Sequence, residues 1–289
     1  MTNKLRGAGV ALVTPFNEDK SIDFKGFEKL IEHVVGGEMD YVVLMGTTGE
    51  SPTITASEKI QLLEFLEVKI NGRLPIVYGL GGNHTAGMIE ELNALKRFSI
   101  EAILSASPYY NKPSQEGIFR HYTALADSSE FPILLYNVPH RTSSNINAET
   151  TLRLASHPNI IGTKEATTDL FQCGIIARDK PSDFLLISGD DCLTLPIISV
   201  GGSGVISVAA NAFPAWIKSL VKESLAGNMT KAKEIHLNML EMFLLISKEG
   251  NPASIKAALE AKGICDRYVR LPLVEASDEL TLKLKTINK

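Results

Sequence analysis

The feature that most constrains this chain is an alternation. Short runs rich in Val, Ile and Leu recur eight times, at 9–13, 41–45, 75–78, 102–106, 132–136, 160–166, 184–188 and 204–208. Most are followed by a stretch whose apolar residues fall at helical spacing, at 23–35, onward from Thr55, and at 85–98, 114–126, 148–155, 169–178 and 214–225. Asp23, Thr55 and Ser114 stand where N-caps belong, and Glu58, three residues after Thr55, completes a capping box. Strands that are apolar on both faces belong to a parallel sheet covered by helices. The pattern predicts a (β/α)8 TIM barrel over 1–225. The rival is a doubly wound open sheet, and no Gly-x-Gly-x-x-Gly follows the first run to support it. Beyond Leu225 strand signals stop. Helical patterns at 231–247 and 252–262, with breaks at Gly227-Asn228 and Gly250-Asn251, predict a C-terminal helical extension over 226–289.

Composition narrows the class of function. The chain has 289 residues, and α/β barrels occupy about 250 as one unit. A net charge of −4 gives no reason to expect nucleic acid or an anionic membrane as partner. No apolar run approaches the roughly 20 residues of a membrane span, and the N-terminal residues Met1 to Arg6 lack an apolar signal region. Cys173, Cys192 and Cys265 are too scattered for a disulfide framework or a Cys-based zinc site. We expect a soluble, cytoplasmic protein.

In such a barrel the loops after the strands converge on one face, and that face carries the chemistry. The residues standing there are Thr47 and Thr48 after the second run, Tyr109 and Tyr110 after the fourth, Tyr136 and Arg141 at the fifth and Lys164 at the sixth. Each has a plain structural alternative. Threonines in Gly-Thr-Thr-Gly commonly bond their own backbone, a strand-ending tyrosine is commonly core with a wet hydroxyl, and Lys164 can pair with Glu165 at the start of its loop. Taken together they are coherent. A lysine confined at a strand end can attack a keto-acid carbonyl and form a Schiff base. Thr47 and Thr48 offer hydroxyl and backbone N–H donors to the acid's carboxylate, Tyr136 can move protons, and the fork of Arg141 suits a second carboxylate. The six histidines show neither His-x-His after the first run nor His-Glu-x-x-His, so they give no metal-site spacing. Gly201-Gly-Ser-Gly204 is a weak phosphate candidate and a better tight turn into a strand. The set points to carbonyl chemistry with neither metal nor cofactor.

Six motifs carry a resemblance: Gly46-Thr-Thr-Gly-Glu50, Tyr109-Tyr-Asn-Lys-Pro113, Tyr136-Asn-Val-Pro-x-Arg-Thr142, Gly162-Thr-Lys-Glu-Ala166, Ser188-Gly-Asp-Asp191 and Gly204-Val-Ile-Ser207. In order and approximate spacing the chain resembles the dihydrodipicolinate synthase family, within the pyruvate-dependent class I aldolases that also include N-acetylneuraminate lyase. The resemblance covers essentially the whole chain. The Gly-x-x-Gly-Glu turn and the lysine are shared across the superfamily, whereas the run carrying Arg141 is discriminating, because the sialic-acid lyases lack that arginine.

The resemblance implies that Lys164 forms an imine with pyruvate, whose carboxylate sits on Thr47 and Thr48. The derived enamine attacks L-aspartate 4-semialdehyde, held by Arg141, and transimination releases the lysine. It further implies a proton relay of Tyr136, Thr47 and Tyr110, with Tyr110 reaching across from a neighbouring subunit of a homotetramer built from two dimers. Ile206 matches a position whose carbonyl faces the lysine, and Gly189 one that lines the pocket. Ser51, Asn83 and Tyr109 match an allosteric lysine site near the dimer interface. Where lysine-inhibited members carry histidines and a glutamate, this chain reads Ala56, Lys59 and Gly87. A cationic effector thus loses an acidic partner and meets a like charge, so feedback inhibition by L-lysine is expected to be weak or absent. The alternatives are another pyruvate aldolase acting on a sugar acid, a non-catalytic barrel binding a small acid and, more distantly, a metal-dependent barrel hydrolase.

Overall fold

Eight parallel strands close on themselves in chain order, the last hydrogen-bonded to the first. The computed structural model describes residues 2–287; Met1, Asn288 and Lys289, which the expected segments 1–225 and 226–289 include, lie outside the described residues. The strands are β1 Gly7–Ala11, β2 Tyr41–Leu44, β3 Ile76–Gly79, β4 Ala102–Ala106, β5 Ile133–Asn137, β6 Ile160–Glu165, β7 Leu185–Ser188 and β8 Gly204–Ser207. Helices α1 Phe24–Gly36, α2 Ala56–Ile70, α3 Thr85–Ala94, α4 Gln115–Ser128, the single turn α5 Pro139–Thr142, α6 Ala148–Leu154, α7 Leu170–Asp179, α8 Thr194–Ser199 and α9 Pro214–Leu225 surround them. Four more follow: α10 Met229–Asn238, α11 Leu240–Ser247, α12 Ala253–Ala261 and α13 Asp278–Ile287. No helix among the described residues is long and apolar enough to cross a membrane.

The strands read as unbroken apolar runs because both of their faces are buried. Successive side chains alternate across a strand, so Tyr41 and Val43 fill the barrel interior with Leu104, Leu134, Tyr136 and Ile206. Val42, Leu44, Ile133 and Leu135 point outward into the larger core beneath the helices. The expected caps hold. Asp23 accepts the Gly26 amide, Ser114 accepts that of Gly117, and Thr55 with Glu58 forms a reciprocal capping box. Each such cap stabilises its helix by about 1 kcal/mol.

The differences from expectation are tertiary in origin. The first strand is Gly7–Ala11, earlier than 9–13, because its register is set on both sides, by Gly7 against Gly204 and by Gly9 against Tyr41. The Val13 amide leaves the ladder and donates to Asn211 Oδ1 at 3.0 Å. The expected helix 231–247 is two, α10 and α11, meeting at the buried Met239. The bend turns the apolar side of α11, with Met242, Phe243 and Ile246, onto the body of the protein. Helices α8 and α13 were not expected: α8 has six residues and α13 follows a long irregular stretch, so neither shows a sustained period. Gly204 lies inside β8 at φ 146°, against the Gly7 backbone, which makes 201–204 the turn into that strand.

Candidate active site

The last inward positions of β5 and β6 are Tyr136 and Lys164. They are register partners, and Lys164 Nζ lies 4.2 Å from the centre of the Tyr136 ring. Only 5% of Lys164 is exposed, yet among the described residues no carboxylate approaches its Nζ within 4.0 Å. Glu165, the partner that the plain alternative would supply, points to the opposite face of the sheet, as alternation along a strand requires. There its carboxylate accepts from Asn137 at 2.9 Å, Thr163 at 3.0 Å and Gln172 at 3.3 Å. Burial pushes its pKa up to about 7. Glu165 therefore supports the strand ends from outside and does not reach the lysine's surroundings.

Two adjoining cavities of about 350 and about 310 Å³ open at this end of the barrel. Lys164, Thr48, Gly189 and Asp191 line the smaller, Ser51 and Tyr109 the larger, and Thr47, Tyr136, Arg141 and Asn251 line both. Gly189 is required sterically: a Cβ there would lie 3.0 Å from Lys164 Cε and 2.8 Å from the Ala166 Cβ. Arg141 sits on α5, whose turn begins at Pro139, and its guanidinium forms no ion pair or hydrogen bond among the described residues. That leaves its planar fork available to a carboxylate.

Thr47 and Thr48 occupy a 3-10 turn, Thr47–Gly49, closed by Glu50 in a left-handed conformation at φ 55°. C-terminal residues hold this turn. Asn251 Nδ2 donates to Thr48 Oγ1 at 3.0 Å, and Lys256 Nζ donates to Glu50 Oε1 at 2.5 Å and to the Tyr268 carbonyl at 2.7 Å. The Arg270 amide reaches the other oxygen of Glu50 at 3.0 Å. Both members of the Glu50–Lys256 pair are fully buried. Burial pulls the Lys256 amine below the usual lysine range, and Glu50 opposes that pull.

Asn251, Lys256 and Asp191 were missed as contributors. Asp191 lines the lysine's cavity and accepts from the amides of Val208 at 3.1 Å and Ala209 at 2.9 Å, bracing the chain just beyond β8. Burial pushes its pKa up to about 6. A second acid in Gly-Asp-Asp was the available signal for Asp191; Asn251 and Lys256 lie some 200 residues from the turn they hold and carry none.

The other expected residues are placed as follows. Ile206 is buried in the barrel interior and lines neither cavity. Tyr110 also lines neither; its side chain is 89% exposed, at a φ of 66°. Tyr109 is 47% exposed, and Asn83 holds its backbone through bonds of 2.7 Å from Nδ2 and 2.9 Å to Oδ1. Asn83 does not itself line a cavity. Lys59 is engaged by Glu91 at 3.4 Å, and Gly87 lies against His84.

Residues 4–289 match the model of the dihydrodipicolinate synthetase family. The 4-hydroxy-tetrahydrodipicolinate synthase of Cytophaga hutchinsonii is 46% identical over 279 residues, 96% of this chain and 94% of that protein. Among solved structures, the chloride-inhibited dihydrodipicolinate synthase of Acinetobacter baumannii complexed with pyruvate matches with a TM-score of 0.95 and 35% identity, over 98% of this chain and 97% of that one. The enzyme of Cyanidioschyzon merolae with lysine bound matches with a TM-score of 0.93 and 36% identity, over 97% and 96%.

Proposed function

The chain belongs to the dihydrodipicolinate synthetase family, and from that premise we propose that Lys164 condenses pyruvate with L-aspartate 4-semialdehyde through a Schiff base. The product is 4-hydroxy-tetrahydrodipicolinate, in the diaminopimelate route to L-lysine. The observation that carries the assignment to this residue is a buried lysine with no ion pair among the described residues, in register with a tyrosine, at the C-terminal end of the strands.

On this reading Lys164 Nζ adds to C2 of pyruvate, and water leaves as the imine forms. Thr47 and Thr48 hold the pyruvate carboxylate on a turn whose shape Asn251 and Glu50 maintain. Loss of a methyl proton gives the enamine, whose carbon attacks the aldehyde of the semialdehyde. The substrate amine then displaces Lys164 by transimination and closes the ring. Tyr136 and Thr47 move protons along this sequence, and Arg141, which lines both cavities, receives the carboxylate of the semialdehyde. Gly189 keeps room for the imine.

Tyr110 completes the relay from a partner copy, in a homotetramer built from two dimers; its exposure on the isolated chain supports that role. Ser51, Asn83 and Tyr109 form the effector region, where Ala56, Lys59 and Gly87 leave little to hold a cationic effector. The chain works in the cytoplasm, where Cys173, Cys192 and Cys265 remain free thiols. A sugar-acid aldolase is the second reading, and the free guanidinium of Arg141 favours the semialdehyde over it.

The deciding experiment is borohydride reduction with pyruvate followed by peptide mapping. An adduct on Lys164 is expected, and its absence overturns the mechanism.

A further inference from the structure

Glu165 is a fully buried carboxylate that the mechanism leaves unused. Burying a carboxylate is unfavourable unless its acceptor sites are filled. Here they are filled by groups that each lead to a different part of the site. Oε2 accepts from Asn137 Nδ2 at 2.9 Å, and Asn137 is the next residue after Tyr136 and the register partner of Glu165. The same oxygen accepts from Gln172 on α7 at 3.3 Å, and Oε1 from Thr163 at 3.0 Å.

Asn137 and Gln172 in turn hold the far end of the segment that carries Arg141. Asn137 Nδ2 donates to Asn145 Oδ1 at 2.8 Å and Asn137 Oδ1 accepts the Ile146 amide at 3.0 Å. Gln172 Nε2 donates to the Ile146 carbonyl at 3.2 Å, and Asn145 Nδ2 to Gln172 Oε1 at 2.9 Å. The backbone extends the tie to a third strand, since the Glu165 carbonyl accepts the Gly189 amide at 2.7 Å.

We propose that Glu165 is a positioning residue for the condensation: from outside the barrel it pins the ends of β5 and β6 and the 138–146 segment, setting Tyr136, Lys164 and Arg141 in mutual register. It touches neither substrate nor lysine, and it acts through Asn137 and Gln172. Three donors from three different parts of the site converge on its two oxygens, so the carboxyl group is their common acceptor. An amide at the same place would turn one of its two ends, as a donor, toward one of those donors.

This inference rests on the Schiff-base reading above. Its test is Glu165→Gln, with turnover expressed per site that pyruvate and borohydride trap on Lys164. A residue that merely helped folding would lower the trappable fraction and leave turnover per trapped site unchanged. We expect the trappable fraction to stay near that of the parent, the pyruvate KM to move less than threefold, and turnover per trapped site to fall at least tenfold. Turnover per trapped site within twofold of the parent overturns the inference. Should Glu165→Gln not fold, Gln172→Met removes one donor and one tie to Ile146; a threefold fall is expected, and an unchanged value overturns it. If the parent itself is not trapped on Lys164, the Schiff-base reading fails instead, which separates the two.

Discussion

Lys164 and Tyr136 face one another across neighbouring strands, with Lys164 Nζ 4.2 Å from the ring centre. The contact places a hydroxyl-bearing ring beside the nucleophile, so packing and proton transfer can be separated experimentally. Tyr136→Phe keeps the ring and removes the hydroxyl. We expect trapping of pyruvate on Lys164 to persist while kcat falls by about 10²-fold or more, the usual size of a lost general acid–base group. Steady-state kinetics beside mass mapping checks this, and full activity in the phenylalanine variant would remove Tyr136 from the relay.

Arg141 lines both cavities and carries no ion pair among the described residues. Arg141→Ala is expected to raise the KM for the semialdehyde by roughly 10- to 100-fold, the scale of a lost charge-assisted contact. Pyruvate trapping should be unaffected. Equal loss of both would assign the arginine to holding α5 rather than to the second substrate.

The Glu50–Lys256 pair holds the turn of Thr47 and Thr48 from a helix 206 residues away in the chain. Lys256→Met strands a buried carboxylate beside the Arg270 amide, so unfolding free energy should drop by roughly 3–5 kcal/mol. Adding Glu50→Gln should recover part of that loss, because an amide replaces an uncompensated charge. Denaturant titration of the three proteins measures it; a double variant no more stable than the single one would show that charge is not what Lys256 contributes.

Stability should also report on Glu165. Its pKa rises on folding from 4.5 to about 7, so the folded chain keeps a proton that the unfolded chain has released. The favourable contribution is complete below pH 4.5 and is lost as pH rises through 7, a change on the order of 3 kcal/mol. Asp191, raised from 3.8 to about 6, adds in the same direction over a lower window. Between pH 5 and pH 8 the stability of Glu165→Gln relative to the parent should therefore improve by about 2 kcal/mol. A pH-independent difference would mean that Glu165 is ionised throughout.

L-Lysine in the millimolar range is expected to leave turnover nearly unchanged. Ala56 and Gly87 provide no polar side chain at the effector region, and Lys59 brings a like charge already held by Glu91. Inhibition below a millimolar would contradict this.

The fold was legible because its signals are local. Two-faced apolar strands and amphipathic helices write their periods into consecutive residues, and the N-caps at Asp23, Thr55 and Ser114 mark where periods begin. A parallel barrel then delivers every strand's C-terminal end to one face, so Thr47, Tyr136, Arg141 and Lys164 could be named from position alone. Local patterns do not carry register, which sheet partners set; hence the displaced β1 and the bend at Met239. Nor do they carry contacts between distant segments. That Lys256 and Asn251 secure the Thr47–Gly49 turn, and that Arg141 is left unpaired among the described residues, follows only from how the C-terminal helices and α5 pack onto the barrel. The sequence by itself determined which residues stand at the mouth of the barrel. Tertiary structure decided which of them are buried, paired or free, because pairing of charges depends on distances that no spacing along the chain encodes.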